Sequence, residues 1–442
     1  MRFVVCGDLL FSSRNLAKRL DQRIVRMLQE ADVCFGNAEF CTPKRTTAPA
    51  IGRGYITSVD PGTLDEFGAL NIKMVGFAHN HTGDFGVQGI VDTIEAAKAR
   101  GLHALGIGYS LDEARRAHFE DTPTGRVGVV AAASTRSEIF AGSNPGNGVA
   151  ARPGSSPLRW GRAFVLPEEE FKQLERIDTM LGTAESRKIT QEIETFKPEG
   201  PGRFKFGSLF EGSLMIERGE RAYVRTYADP NDERELLRRI TDASKRSTFT
   251  LCALHTHEGV NENWFSDDAP EFIESFARKA IDAGASAFVG HGAHFLRGVE
   301  IYKGRPIFYN LGSLIMEFES GESIICPEMY EAYGYSSAEL PSTLHGNRVK
   351  DAEGNFIGFA SLRKFSENAY VVFDIDETGG FTYSIVPIDL DMRREQPIKR
   401  GLPVLADADS GRRIAERLEK ISVRYGTKFS YDESCGTISV RP

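Results

Sequence analysis

The sequence lacks any apolar run long enough to cross a lipid bilayer. A membrane-spanning helix needs about 20 consecutive apolar residues, and no run in this chain approaches that length. The opening residues, MRFVVCGD, also lack the basic head, apolar stretch and small-residue cleavage site of a signal peptide. We therefore expect a soluble protein with no membrane anchor and no export by a signal peptide.

The sequence also has few cysteines and no excess of basic residues. The chain has six cysteines, none of them in a CxxC pair. Cys6, Cys34 and Cys252 lie inside apolar, strand-like runs, which predicts buried thiols and favours the reducing cytoplasm. The formal net charge is -8. A general nucleic-acid binder usually carries a basic excess, so we expect no nucleic-acid partner.

The sequence lacks the motifs typical of nucleotide binding and of nucleophilic serine or cysteine catalysis. The string GIGYSL at 106–111 lacks the full glycine pattern of a dinucleotide site, and the sequence contains no P-loop. It also contains no GxSxG nucleophile elbow. Cys6 and Cys252 sit in a buried context that suits a reactive thiolate poorly. The chemistry must therefore come from other side chains.

Histidine is scarce but concentrated. Of the nine histidines, six fall into three tight clusters, each where an apolar, strand-like run ends. These clusters are His79-Asn80-His81, His255-Thr256-His257 and the pair His291 and His294. A single pair would favour an ordinary core role, but three pairs after predicted strands favour a metal site. The other three, His103, His118 and His345, match no cluster, and we expect them to be structural.

Two carboxylates occupy comparable positions. Asp8 and Glu39 follow or end two earlier predicted strands, at 2–7 and 32–35. Neutral imidazole and carboxylate are common ligands of Zn, Mn and Fe. Alternating strand and helix patterns along the chain predict a mostly parallel central sheet, in which active sites gather at the carboxyl ends of the strands. The sequence therefore predicts a metal site across one sheet edge.

The chain reads as a single domain over 1–442 with three additions. Residues 134–165 are rich in Gly, Pro, Ser and Asn, and 167–197 are helical and strongly charged. Both segments belong to an insertion at 134–230, which we interpret as a lid or an oligomer contact. Residues 316–368 are interpreted as an active-site flap, and 380–442 as a C-terminal extension of helix and strand.

Several strings together resemble the CapA family, which is named for a poly-γ-glutamate capsule protein and belongs to the calcineurin-like metallophosphoesterase superfamily. The strings are GDLLF at 7–11, GNAEF at 36–40, AHNHTGDFG at 78–86, RPGSSPLRW at 152–160 and GHGAHFLRGVEIYKGRPIFYNLGSL at 290–314. The resemblance implies an α/β fold, a metallophosphoesterase-like four-layer α/β/β/α sandwich with helical and loop insertions. It also implies six metal ligands: Asp8, Glu39, Asn80, His255, His291 and His294.

The chain departs from the family pattern at four points. His79 stands where the family commonly has asparagine, and Leu10 where superfamily phosphatases usually have histidine. His255-Thr256-His257 replaces a His-Trp-Gly string, and Ser313 replaces an asparagine. The number of metal ions, one or two, therefore stays open.

The remaining polar residues of these strings are assigned by role. The resemblance makes His81 a general acid, although it could instead be another ligand. Asp84 could orient a neighbouring histidine or cap the helix predicted from Val87. His79 and His257 could be ligands, donors behind the ligands or substrate contacts, and we assign them to substrate binding.

Two arginines complete the predicted site. Arg152 and Arg159 lie in the matched RPGSSPLRW string and could bind a carboxylate or phosphate through paired hydrogen bonds. The alternative is that they are ordinary solvated loop residues.

The leading hypothesis is a metal-dependent hydrolase using Mn, Fe, Co or Zn, in which metal-activated water attacks a phosphoester or an amide or related acyl bond. Its substrate would be an anionic small molecule or oligomer, and the protein could form a homo-oligomer. The alternative is a binding or assembly protein, weakly catalytic or inactive, in the synthesis of poly-γ-glutamate or a capsule-type polymer.

Overall fold

Two large sheets pack face to face, with helices on both outer faces. The computed structural model describes residues 1–51, 55–194, 199–207, 212–317 and 323–441. Three apolar clusters separate the layers, one between the sheets and one under the helices on each side. The predicted four-layer α/β/β/α sandwich is confirmed. In these ranges no helix is both long enough and apolar enough to cross a membrane.

The strands of the described residues are, in chain order, β1 Arg2–Leu10, β2 Val33–Ala38, β3 Met74–Gly76, β4 His103–Leu105, β5 Ile107–Gly108, β6 His118–Thr122, β7 Gly125–Ala133, β8 Gly154–Ser155, β9 Trp160–Leu166, β10 Arg203–Phe206, β11 Leu214–Arg218, β12 Tyr223–Ala228, β13 Phe249–Thr256, β14 Ala287–Gly292, β15 Val299–Tyr302, β16 Arg305–Phe308, β17 Ser313–Met316, β18 Glu367–Ile375, β19 Phe381–Asp389, β20 Val404–Leu405, β21 Lys428–Asp432 and β22 Thr437–Arg441.

The α-helices of the same ranges are α1 Leu16–Arg19, α2 Gln22–Gln29, α3 Asp65–Ala69, α4 Gly86–Lys98, α5 Leu111–Ala114, α6 Ser137–Phe140, α7 Glu168–Met180, α8 Thr183–Glu194, α9 Pro230–Ser244, α10 Glu271–Asp282, α11 Pro327–Ala332, α12 Pro341–Gly346 and α13 Ala408–Ser422.

The larger sheet has the strand order β21-β22-β19-β18-β1-β2-β3-β4, with β17 also paired to β1 and β20 to β19. Its first half, β1 to β4, is parallel, whereas β18 and β19 are antiparallel additions. The smaller sheet has the order β15-β16-β14-β13-β7-β6, with β7, β13, β14 and β16 parallel. The carboxyl ends of both parallel sets hold the polar clusters.

The prediction of one mostly parallel central sheet is wrong, because the parallel strands divide between two mixed sheets. Strand–helix alternation is the same in either arrangement, so the sequence pattern does not say which strands share a sheet. As a consequence, the site residues come from both sheets. Asp8 and Glu39 belong to the larger sheet, and His255 and His291 to the smaller one.

The core between the sheets is dense in aromatic rings. Phe373 of β18 lies within 4.9 Å of Phe249 and 6.4 Å of Phe3, measured between ring centroids. Helices α2 and α4 cover the outer face of the larger sheet, and α9 and α10 that of the smaller sheet. Since both faces of each sheet are buried, the strands read as near-continuous apolar runs rather than as alternating patterns.

The insertion contains more strand than its composition suggested. Strands β9 to β12 form a separate four-stranded sheet in the order β10-β11-β9-β12, which α7 contacts. The sequence predicted loop and helix over this region, because β10 to β12 are short and charged (RFKF, LMIER, YVRTYA). The predicted helix at 167–197 is two helices, α7 and α8, and its last residues, 195–197, lie outside the described ranges. The lid or oligomer role stays a prediction.

Two further segments contain short helices. Residues 16–29 form two helices, α1 and α2, because the Asp21 side chain accepts a hydrogen bond from the Arg23 amide and starts α2 anew. The flap at 316–368 holds the short helices α11 and α12, and residues 318–322 within it are outside the described ranges.

Candidate metal centre

The two sheets bring their polar strand ends to one edge of the sandwich. Asp8 lies in β1 at a register shift, and Glu39 directly follows β2. His255 and His291 are paired residues on the neighbouring strands β13 and β14. The backbone N–H of Gly292 donates to Asp8 Oδ2 at 2.7 Å, which joins the smaller sheet to the larger one.

Asp8, His255 and His291 form a first candidate ligand group. The Nδ1 atoms of His255 and His291 lie 3.8 and 3.5 Å from Asp8 Oδ1. The two Nδ1 atoms are 3.2 Å apart. All three side chains are buried, and their ligand atoms lie close enough together to share one ion.

Glu39, His257 and His294 form a second candidate ligand group next to the first. His257 Nε2 lies 3.4 Å from Glu39 Oε1, and His294 Nδ1 lies 3.6 Å from Glu39 Oε2. The groups adjoin, since His294 Nδ1 is also 3.4 Å from Asp8 Oδ2. The geometry thus places His257 among the candidate ligands, whereas the sequence assigned it to substrate binding.

The electrostatics of the cluster fit a divalent cation. Burial, followed by the charge of Asp8, raises the pKa of Glu39 well above its usual value. Burial also raises the pKa of Asp8, but hydrogen bonds and charge from His291 and His294 outweigh it and leave that pKa well below normal. The buried carboxylates of Asp8 and Glu39 are close enough to interact, and they repel each other unless a positive charge lies between them.

The imidazoles are suited to the same role. Burial is the main cause that lowers the pKa of His255 and of His257 well below normal, so both are neutral, the form that binds metals. Glu39 Oε2 and His291 Nε2 are buried and have no hydrogen-bond partner among the described residues. Such atoms are costly unless something binds them. The set of carboxylate and imidazole donors matches Zn, Mn, Fe or Co better than Ca or Mg.

The loop after β3 closes the cluster from one side. Asn80 Oδ1 lies 2.9 Å from His255 Nε2. His79 is buried, its Nδ1 accepts the His81 backbone N–H at 3.1 Å, and its ring centroid is 5.9 Å from that of His255. The structure therefore places His79 and Asn80 beside the candidate ligands, and the roles assigned to both stay predictions.

His81 and Asp84 form a hydrogen-bonded pair on this loop. His81 Nδ1 lies 2.7 Å from Asp84 Oδ2, which also accepts the Thr57 backbone N–H at 2.8 Å. Helix α4 begins at Gly86, and its N-cap residue is Phe85 with no side-chain cap. Of the two alternatives for Asp84, the geometry therefore favours orientation of a histidine over capping of the helix.

The two predicted substrate arginines are engaged elsewhere. Arg159 makes paired hydrogen bonds to Asp232, at 2.7 Å from Nε and 2.8 Å from Nη2. Arg152 Nε donates to the Ala141 carbonyl at 3.2 Å. These contacts direct both guanidinium groups to partners outside the metal cluster. Their role in substrate binding stays a prediction, and the geometry favours a structural role for Arg159.

A family model describing the bacterial capsule synthesis protein PGA_cap matches residues 2–317. The chain belongs to this family. This match confirms the predicted CapA relationship, and the matched part contains all six predicted ligands.

Relatives of this PGA_cap chain span a wide range of similarity. An uncharacterised protein of Sinorhizobium fredii (strain NBRC 101917 / NGR234) is 29% identical and aligns over 98% of this chain and 92% of its own length. The capsule biosynthesis protein CapA of Bacillus anthracis is 34% identical over 84 residues, covering 19% of this chain and 20% of its own. A solved structure described as a novel phosphatase from Mycoplasma pneumoniae is 9% identical, covers 88% of this chain and 93% of its own, and has a TM-score of 0.40.

Sequence reasoning missed several residues that support the PGA_cap cluster. Asn37 Nδ2 donates to Asp8 Oδ1 at 2.9 Å, and Ser313 Oγ lies 3.2 Å from His294 Nδ1. A signal for Asn37 existed, because it stands two residues before Glu39 in the matched GNAEF string and strand residues at that spacing share a face. The sequence marks Ser313 only as a departure from the family pattern.

Arg297 is a buried support of the second ligand group. Its side chain donates to the carbonyls of His257 at 3.0 Å, Glu258 at 2.7 Å, Trp264 at 3.2 Å and Ser266 at 3.1 Å. These four bonds hold the loop that carries His257. Arginine is suited to this task, since its planar fork has five donors in fixed directions.

We predict that Arg297→Lys weakens metal binding by roughly 10- to 100-fold, as is typical when groups that orient ligands are altered. Lysine keeps the charge but cannot reach four carbonyls, so His257 loses its fixed position. Calorimetric titration of the metal-free variant with Mn or Zn measures the effect. Arg278→Lys, at an ion pair with Glu300 outside the cluster, is the matched control. Unchanged affinity in Arg297→Lys would contradict the assignment.

Proposed function

We propose that this chain is a metal-dependent hydrolase acting on a phosphoester, or on an amide or related acyl bond, of an anionic substrate. The observation that carries the proposal is the pair of adjoining Asp/Glu–His ligand groups with a histidine–aspartate pair beside them. An inert structural ion would need one closed group of ligands. A second ligand group and an oriented histidine are not required to hold such an ion.

A divalent ion held there would lower the pKa of bound water and withdraw charge from the scissile group. The chain's own residues would do the rest. Asp8, His255 and His291 hold one position, and Glu39, His257 and His294 the adjoining one. Asn37 and the Gly292 N–H orient the Asp8 carboxylate through hydrogen bonds of 2.9 and 2.7 Å.

His81 would serve as general acid in this scheme. Asp84 accepts from His81 Nδ1, so Nε2 is the atom left to give a proton to the leaving group. Asp84 itself stays fixed, because its Oδ2 also accepts the Thr57 N–H. This arrangement orients the imidazole without using Asp84 as the proton donor.

The second candidate is a binding or assembly function in capsule-type polymer synthesis. Membership in the PGA_cap family favours it, since that family is described by capsule synthesis. Such a protein would keep the fold and the metal without turnover. All six cysteines are free thiols, which supports the proposal that either function is carried out in the cytoplasm.

A reconstitution experiment separates the two candidates. The protein is stripped with chelator, reloaded separately with Mn, Fe, Co or Zn, and assayed on p-nitrophenyl phosphate, bis-p-nitrophenyl phosphate and γ-glutamyl-p-nitroanilide. The hydrolase proposal expects turnover of at least one compound, lost with chelator and restored by metal. Metal uptake and poly-γ-glutamate binding without any turnover would favour the assembly function instead.

A further inference from the structure

A pocket of about 400 Å³ lies beside the metal centre. This is within the range of small-molecule sites. Most of its lining is apolar, contributed by the flap and by neighbouring loops: Phe265, Met316, Val349, Phe359, Phe365 and Met392. Its described lining includes none of the predicted site residues.

Side chains that line the pocket also pack against residues of the metal centre. The Phe359 ring, which lines the pocket, lies 5.5 Å from the ring of the ligand His294, between centroids. On the other side, Tyr55 lies between His345 of the pocket and His81, at ring distances of 6.4 and 6.0 Å. The pocket therefore adjoins the metal centre, with one ring, that of Phe359, between it and the candidate ligand His294, and two rings, those of His345 and Tyr55, between it and His81.

The pocket contains a cation suited to an anionic group. The Arg348 guanidinium lies 4.2 Å from the Tyr55 ring centroid and 5.7 Å from that of Tyr333. It forms no ion pair with any described residue. A guanidinium stacked on an aromatic ring still carries its N–H donors in one plane, and this planar fork matches a carboxylate or phosphate through paired hydrogen bonds.

We propose that this pocket binds the substrate, which is a small amphipathic molecule whose carboxylate or phosphate pairs with Arg348 and whose apolar body fills the space between Val349 and Phe359. The inference rests on the proposed hydrolase function and narrows it. A purely polar polyanion such as poly-γ-glutamate would leave the apolar lining unpaired. An apolar body gains the free energy of leaving water.

The test measures binding to the full chain with its metal bound. Naphthalene-2-carboxylate and naphthalene-2-phosphonate are titrated by calorimetry against acetate and neutral 2-naphthol, and each is tested as an inhibitor of the hydrolysis that the reconstituted protein catalyses. Arg348→Gln removes the cation, and Val349→Trp fills the pocket. The matched controls are Arg363→Gln, an exposed arginine of the same flap, and Val423→Trp, an exposed valine far along the chain.

We expect both naphthyl anions to bind at least tenfold tighter than acetate and to inhibit competitively. Arg348→Gln should weaken them at least tenfold without changing 2-naphthol, and Val349→Trp should weaken all naphthyl compounds. A preference for one anion would distinguish a carboxylate from a phosphate substrate. Equal binding of acetate, unchanged binding in both variants, or binding without competition would overturn the inference. If no substrate is hydrolysed, the proposed function fails, but the binding series still decides whether the pocket takes an amphipathic anion.

Discussion

Asp8→Asn is expected to abolish tight metal binding and to lower kcat/KM on the order of 10³-fold. The side chain keeps its shape but loses the charge that faces His291 and His294 at 3.5 and 3.4 Å. Charge stabilisation by a bound metal is worth several kcal/mol, and each 1.4 kcal/mol or so is a factor of ten in rate. Elemental analysis and steady-state kinetics measure the two effects.

The matched control is Asp374→Asn. Asp374 lies on β18, beside β1, and its carboxylate forms an exposed ion pair with Arg2. Its loss should leave metal content and activity unchanged, since exposed ion pairs contribute little. Normal metal binding by Asp8→Asn, with more than a tenth of the activity retained, would rule out Asp8 as a metal ligand.

His81→Gln is expected to lower kcat by roughly 10²- to 10⁴-fold, the usual effect of removing a general acid, while metal content and KM stay close to normal. The reason is the geometry, in which His81 contacts Asp84 rather than a ligand group. Steady-state kinetics and elemental analysis of the variant measure the two effects separately.

Asp84→Asn should give a smaller loss of the same kind, because the imidazole would remain but lose its orienting partner. His103→Gln is the control, since His103 pairs with Glu120 outside the cluster. Loss of a metal ion from His81→Gln would sink the general-acid assignment and support the alternative that His81 is a ligand.

The clustering of the candidate ligands could be predicted because they lie at or just beyond the carboxyl ends of recognisable strands. Apolar runs ending in Asp, Glu or His mark strand ends, and parallel strands place those ends together. The sequence prediction places His257 in substrate binding. Its position two residues after His255, however, is the better indication of where its side chain lies. Residues two apart along a strand share a face, and the structure places both imidazoles near Glu39.

Other features depend on contacts between distant segments, which no local pattern encodes. Arg159 and Asp232 are 73 residues apart in the chain. The sequence around Arg159 therefore does not indicate that its guanidinium is hydrogen-bonded to a carboxylate. The division of parallel strands between two sheets is non-local in the same way. So is the pocket, since Phe265, Arg348 and Met392 come from three separate segments.

Anomalous diffraction from crystals grown with Mn or Zn shows whether the two ligand groups bind divalent metal. We expect one or two strong peaks, each within about 2.0–2.2 Å of a carboxylate or imidazole atom. One expected position lies between Asp8, His255 and His291, and the other between Glu39, His257 and His294. Metal found only elsewhere in the crystal, or no peak among these six side chains, would rule out the proposed metal centre.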